Sequence, residues 1–120
     1  MKNPLNSIDK DDVIRKAFLR AAENLDLSGA DLEKITGYSE STISRMKDGS
    51  MPTDRKKREL VVGFLRLYRS LIPLAGDVGN AKEWLHSENS DLGGRPFDLI
   101  QTFMGLADVT TYLDAMRGKI

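Results

Sequence analysis

Between residues 28 and 49 the chain reads SGADLEKITGYSESTISRMKDG, and its small residues fall at helix-ending intervals. Ser28 and Ser39 can accept a hydrogen bond from the open amides at a helix start. Gly37 and Gly49 stand where a helix stops in a left-handed turn. This spacing admits two helices of roughly two turns each. Helices that short do not persist alone, so both must lean on a larger apolar assembly. Leu32 and Ile35 in the first, and Ile43 and Met46 in the second, are the residues that would face it.

The rest of the chain supplies that assembly from helices. No stretch alternates polar and apolar residues with a period of two, and β-branched residues are sparse. A helix opens near Asp9 to Asp12, whose carboxylates suit a helix N-terminus. Val13, Ile14, Ala17, Phe18, Ala21, Ala22 and Leu25 give it one apolar face. Thr53 is positioned to cap a long helix, DRKKRELVVGFLRLYRSLI, which Pro73 and Gly76 close. LAGDVGN then reads as a loop, with Asn80 able to cap AKEWLHS. After ENSDLGGR, Pro96 is placed as the first residue of a helix PFDLIQTFM. Gly105 separates that from a last helix, ADVTTYLDAMR. The expected fold class is all-α: a helix-turn-helix bundle over residues 1–73 and a small helical domain over residues 77–120.

A net charge of zero conceals an uneven distribution. Residues 1–70 hold 14 Lys/Arg against 11 Asp/Glu, and residues 71–120 hold 4 against 7. The segment 45–69 alone has 8 basic and 3 acidic residues. That basic stretch is either a solvated face or a surface for an anionic polymer. The second of the two short helices favours the polymer. Glu40, Ser41, Thr42, Ser44, Arg45 and Lys47 would turn outward from it. Short hydroxyl side chains let a backbone come close to base edges in a major groove about 12 Å wide. Arg45 and Lys47 suit guanine or phosphate. Ser39 would leave the helix N-terminus open to a phosphate. Arg55, Lys56 and Lys57, at the start of the next helix, oppose its dipole, a local cost expected where a surface serves a partner.

Other chemistries are poorly served. Without cysteine there is neither a disulfide framework nor a thiolate metal site. His86 is the sole histidine, and its neighbours Ser87 and Glu88 point elsewhere on a helix. Asp11 and Asp12 read as helix-start charges. No spacing suggests a metal or a cofactor, and Gly93-Gly94 lacks the pattern of a phosphate loop. No apolar run approaches the roughly 18 to 20 residues that span a bilayer, and no leader is legible, so a cytoplasmic protein without enzymatic activity is expected.

These residues resemble a known class. Ser28 to Gly49, with its turn glycine and Asp48-Gly49 exit, is similar to the helix-turn-helix of phage repressors and Xre-like proteins. Gly29 departs from the class, where a glutamine commonly bonds phosphate. Glu33 departs too, standing where a small residue packs on the recognition helix, so its side chain either alters the helix crossing or escapes to solvent. WLHSENSDLGGRPFDLIQTFMGLADVTTYL resembles the toxin-binding domain of Xre/ParS antitoxins, which pair with NAD-destroying toxins of the RES-domain type. The resemblance implies an antitoxin that represses its own operon through operator DNA and masks a RES toxin, as a homodimer or a larger assembly with the toxin. Arg95 is then an anchor for an acidic group on the toxin, or only a loop charge. Arg117, Gly118, Lys119 and Ile120 are then a tail reaching the toxin's active site, or only a chain end. Trp84, Leu85, Phe97, Leu99, Ile100, Phe103, Leu106, Val109, Leu113 and Met116 are the expected core of this half, with Phe103 and Tyr112 as dimer contacts if exposed. The alternative function is a stand-alone helix-turn-helix regulator whose second half only dimerises or senses a ligand.

Overall fold

The computed structural model describes residues 9–118. Over that span the chain forms α1 (Lys10–Asn24), α2 (Gly29–Thr36), α3 (Glu40–Lys47), α4 (Arg55–Ala75), α5 (Val78–His86), α6 (Pro96–Leu99) and α7 (Phe103–Gly118). The all-α expectation holds among the described residues.

α4 is the spine. At 100° per residue, its buried Val61, Phe64, Leu65, Leu67, Ser70 and Leu71 spread over well more than half the helix circumference. A helix with one apolar stripe has one partner surface; this one is packed by α1 and α2 and also by α5 and α7. The Phe18 and Phe64 rings meet edge to face, centroids 5.8 Å apart, fixing α1 on α4. At the other end Ser70 Oγ donates to Asp114 Oδ1 at 2.6 Å and ties α4 to α7. Asn24 Nδ2 donates to the Tyr68 hydroxyl at 2.7 Å, a second polar tie to the spine.

The helix ends show which punctuation the chain uses. Asp9, Ser28 and Ser39 cap α1, α2 and α3 as their residue types allow. α4 is capped by Asp54, whose carboxylate accepts the Lys57 amide at 3.0 Å; Thr53, the expected cap, lies one residue outside. Pro73 does not close α4. The helix runs through it to Ala75 and ends at Gly76, whose φ is 89°. The expected loop LAGDVGN shrinks to a joint at Gly76-Asp77, because Asp77 caps α5 and takes the Asn80 amide at 2.7 Å. Asn80 instead bonds the Ala75 carbonyl across that joint.

The largest departure concerns PFDLIQTFM and Gly105. The first helix stops at Leu99, and α7 starts at Phe103 after a new cap in which Thr102 Oγ1 accepts the Gly105 amide at 3.0 Å. Gly105 therefore lies inside the first turn of α7. A Cβ there would overlap the Leu99 carbonyl oxygen and come within 2.9 Å of Thr102 Oγ1. The glycine is there for close approach of two helices. A Cα without a side chain reads the same way whether it breaks a helix or lets another backbone pass. Gly93 does take the positive φ expected of the glycine pair, at 79°, but Gly94 does not.

The core is one cluster running from Phe18 through Ile43 and Phe64 to Leu113. Leu85, Phe97, Ile100, Leu106, Val109 and Leu113 are buried as expected, Trp84 and Leu99 pack half-buried against them, and Met116 is half-buried. Two expected core residues are outside it. Val13 is 53% exposed, because Ile14 and Phe18 take the face of α1 that meets α4. Phe103 is 66% exposed, because the break before it turns the first residue of α7 outward. Tyr38 is buried at the α2–α3 turn, and its hydroxyl has no partner among the described residues. Burial, and secondarily the Asp54 carboxylate, raise its pKa above the usual phenol value, against a smaller opposing effect of Arg58.

Gly105→Ala is expected to lower stability by about 3 kcal/mol or more, since backbone must move to admit the methyl group. Gly29→Ala, whose new Cβ would meet only the Glu40 side chain at 3.7 Å, is expected to stay within about 0.5 kcal/mol of the parent. Denaturant midpoints compare the two, and equal losses would remove the close-approach role. Tyr38→Phe is expected to leave stability at neutral pH unchanged or raised, because no hydrogen bond is lost. The raised phenol pKa means that the fold favours the neutral form. That stability is fully present below about pH 10 and is lost as pH rises through the folded value. Unfolding of Tyr38→Phe followed upward from pH 9 should therefore show a shallower alkaline loss than the parent.

Candidate nucleic-acid interface

α2 and α3 are joined so that little can shift. Ser28 and Asp31 satisfy each other's amides at 3.1 and 2.9 Å, the reciprocal box that starts α2. Gly37 ends α2 at φ 82°, a conformation that a side chain would strain. The buried Thr36 hydroxyl donates to the Leu32 carbonyl at 2.7 Å and accepts the Tyr38 amide at 3.2 Å, pinning the turn. Leu32, Ile35, Ile43 and Met46 are all buried, so each helix is seated by the residues expected to seat it.

With that face down, Glu40, Ser41, Ser44, Arg45 and Lys47 are exposed and Thr42 is half-buried. The strip of short side chains is open to solvent. Ser39 Oγ accepts the Thr42 amide at 3.2 Å and lies 2.9 Å from Thr42 Oγ1 and 3.1 Å from Ser41 Oγ. Arg45 Nη2 donates to Thr42 Oγ1 at 3.1 Å, which lays the guanidinium along the same face. Arg55 and Lys56 are exposed beyond it at the start of α4. Lys57 folds back, its Nζ 5.8 Å from the centre of the Tyr38 ring and its stem against Gly37. Arg58, in the same basic run, is taken by Asp11 of α1.

One expectation needs correction. The N-terminus of α3 is not left open. Glu33 reaches across from α2, and its Oε1 accepts the Glu40 amide at 3.1 Å while Ser39 holds the Thr42 amide. The acidic departure from the family pattern thus has a role: its exposed carboxylate occupies the positive end of α3. Gly29 lies beside the same place, 3.7 Å from Glu40 Cγ measured from an added Cβ.

The opposite end of α3 holds a residue that sequence reading passed over. Arg15, on α1, is only 8% exposed, and its Nη1 donates to the Met46 carbonyl at 2.8 Å. The signal was available. Arg15, Phe18, Ala22 and Leu25 share the spacing of the buried face, so a cation stands in the register of the core.

In the second half, Arg95 is half-buried and forked onto Asp98, with Nε to Oδ2 at 3.1 Å and Nη2 to Oδ1 at 2.8 Å. Its guanidinium also lies 5.4 Å from the Phe97 ring centre. Hydrogen bonding to Arg95 holds the Asp98 carboxyl below the usual range. His86 is half-buried, with its ring 5.2 Å from Phe97. The polar loop is folded by Asn89, whose Oδ1 accepts the Leu92 amide at 3.1 Å, and by Tyr112, which donates to Asp91 at 2.9 Å. That bond leaves Tyr112 half-buried, unlike Phe103. Arg117 is exposed near Ser70 and Asp114, and Gly118 ends α7. Lys119 and Ile120 lie outside the described residues. Among the described residues there is no cluster of three His, Cys, Asp or Glu side chains able to hold a metal, and no helix long and apolar enough to cross a membrane.

The arrangement is two-part: a seated helix-turn-helix with a bare polar face, and a helical cap closing over the far end of α4. The family model of the antitoxin Xre-like helix-turn-helix domain matches residues 5–66, just over half the chain. The model of the antitoxin Xre/MbcA/ParS C-terminal toxin-binding domain matches residues 70–119. No curated protein matches the sequence. The chain belongs to the antitoxins with an Xre-like helix-turn-helix, and carries the toxin-binding domain of the Xre/MbcA/ParS antitoxins behind it.

Proposed function

We propose that this antitoxin represses its own operon by placing α3 in the major groove of operator DNA, and neutralises an NAD-degrading toxin of the RES-domain type by covering its active site. Residues 1–73 serve the DNA and residues 77–120 the toxin, with α4 as the shared support. The observation that carries the DNA side is the exposure of Ser41, Ser44, Arg45 and Lys47 on a helix whose opposite face is fully buried. Ser39, Glu40 and Thr42 complete that face. Arg55 and Lys56 are free to hold flanking phosphate, and Lys57 supports them from above Tyr38.

On the toxin side the candidate contacts are Arg95, preset by Asp98, the end of α7 at Arg117 and Gly118, and Lys119 and Ile120, which follow it in sequence. The exposed Phe103 and Met104, 66% and 74% accessible, with Phe103 lining a cleft shared with Val62 of α4, suit a homodimer contact.

Arg45→Ala is expected to cost about 1 to 3 kcal/mol on the operator and to relax sequence preference, while neutralising Arg55 and Lys56 together flattens the salt dependence of log affinity by roughly 2. Equal losses on operator and random duplex for Arg45→Ala would remove its base-reading role. Sedimentation of the free chain as a monomer only would remove the dimer.

The toxin reading is tested in cells expressing a RES-domain toxin encoded in the same operon as this chain. The full chain is expected to restore NAD and growth, and the chain ending at Arg117 is expected to lose most of that rescue. Rescue undiminished by the deletion would reject the tail as the blocking element. Failure of the full chain to rescue or to bind the toxin, with operator binding intact, would favour the stand-alone regulator.

A further inference from the structure

α3 has 8 residues, and a helix that short takes its orientation from what holds its ends. Its buried Ile43 and Met46 set which face is down, but two neighbouring anchors on one side leave the axis free to pivot about them. The ends are gripped by side chains from elsewhere. Glu33 of α2 holds the first amide, and Arg15 of α1 holds the last turn.

The Arg15 contact is the unusual one. α1 packs mainly on α4, and α3 packs mainly on α2, so a tie between α1 and α3 joins two elements that share little other contact. The guanidinium is buried, and it donates to the Met46 carbonyl at 2.8 Å. That carbonyl already accepts the Gly49 amide at 3.1 Å, in the turn that ends α3. A cation at this point faces the negative end of the helix dipole. Asp12 offers only a 3.5 Å contact to Nη2, and Nε has no partner among the described residues. A buried cation with one unmet donor is held at a cost that an apolar residue would avoid. Core stability gives little reason for arginine here.

Resting on the DNA-binding reading above, we infer that Arg15 is a positioning residue for sequence recognition: it sets the pitch of the recognition helix from below, without touching DNA. Contacts to base edges need the helix axis in one orientation, whereas contacts to phosphate tolerate a small pivot. Loss of the tie should therefore reduce operator affinity far more than affinity for arbitrary duplex.

The test uses the full chain with operator duplex and random duplex at one stated salt concentration, below the melting temperature of every variant. Arg15→Met is expected to lose tenfold or more on the operator and less than threefold on random duplex. Arg15→Gln, which also removes the cation but keeps a polar side chain, should show the same split and carries the test if Arg15→Met does not fold. Arg15→Lys, which keeps the charge and a donor of similar reach, should recover most of the discrimination. A fully folded Arg15→Gln with the parental operator-to-random ratio, or with both affinities reduced equally, would overturn the inference. An unmodified chain that does not prefer its operator would instead overturn the DNA-binding reading on which the inference rests.

Discussion

The burial of α4 on two sides is the constraint that organises this molecule. Phe64 faces Phe18 of α1, while Gly63 lies against Leu106 and Ser70 bonds Asp114 of α7. Removing either set of neighbours would leave apolar area of the same helix in water, at about 25 cal/mol per Å². Neither the helix-turn-helix nor the α5–α7 cap is therefore complete without the spine. Its solvent side, through Arg55, Glu59, Val62, Arg66 and Arg69, is what remains after both sides are covered.

The short helices depend on this spine in turn. α2 and α3 bury few residues each, and their order comes from caps at both ends and from the pinned turn at Thr36 to Tyr38. Most of these polar ties are exposed; the buried Thr36 hydroxyl, bonded to Leu32 and Tyr38, is an exception. Among the described residues, the Tyr38 hydroxyl and the Arg15 Nε are the buried side-chain groups without a hydrogen-bond partner, and both border α3. Unmet buried donors are uncommon in folded chains, and here they cluster around α3.

The sequence was most legible where a single residue decides a local event. Ser28, Gly37 and Ser39 mark their helix boundaries through properties of their own, and Leu32, Ile35, Ile43 and Met46 follow from spacing alone. The exposed face of α3 followed from the same spacing. Legibility failed where two residues could do one job. Thr53 and Asp54, or Asp77 and Asn80, are each acceptable caps, and only packing of the following helix selects the register. It failed again where tertiary contact decides. Gly105 looks like a helix breaker until Leu99 is seen beside it, and Pro73 stops nothing because it stands on the outer side of α4 near its end. Glu33 and Arg15 act across elements, on backbone groups that no linear pattern marks. The side-chain fork of Arg95 on Asp98 is a nearer case, legible as an opposite-charge pair three residues apart.

The place where the two family matches meet, between residues 66 and 70, falls within α4 at its buried stretch. Nature could not splice a foreign cap onto this reader at that seam without also matching Leu67, Ser70 and Leu71 to new neighbours. A cut at the Gly76-Asp77 joint leaves the spine whole, yet asks any incoming cap to fit a ready-made groove. Exchange of either half would thereby require compatible side chains along one shared helix.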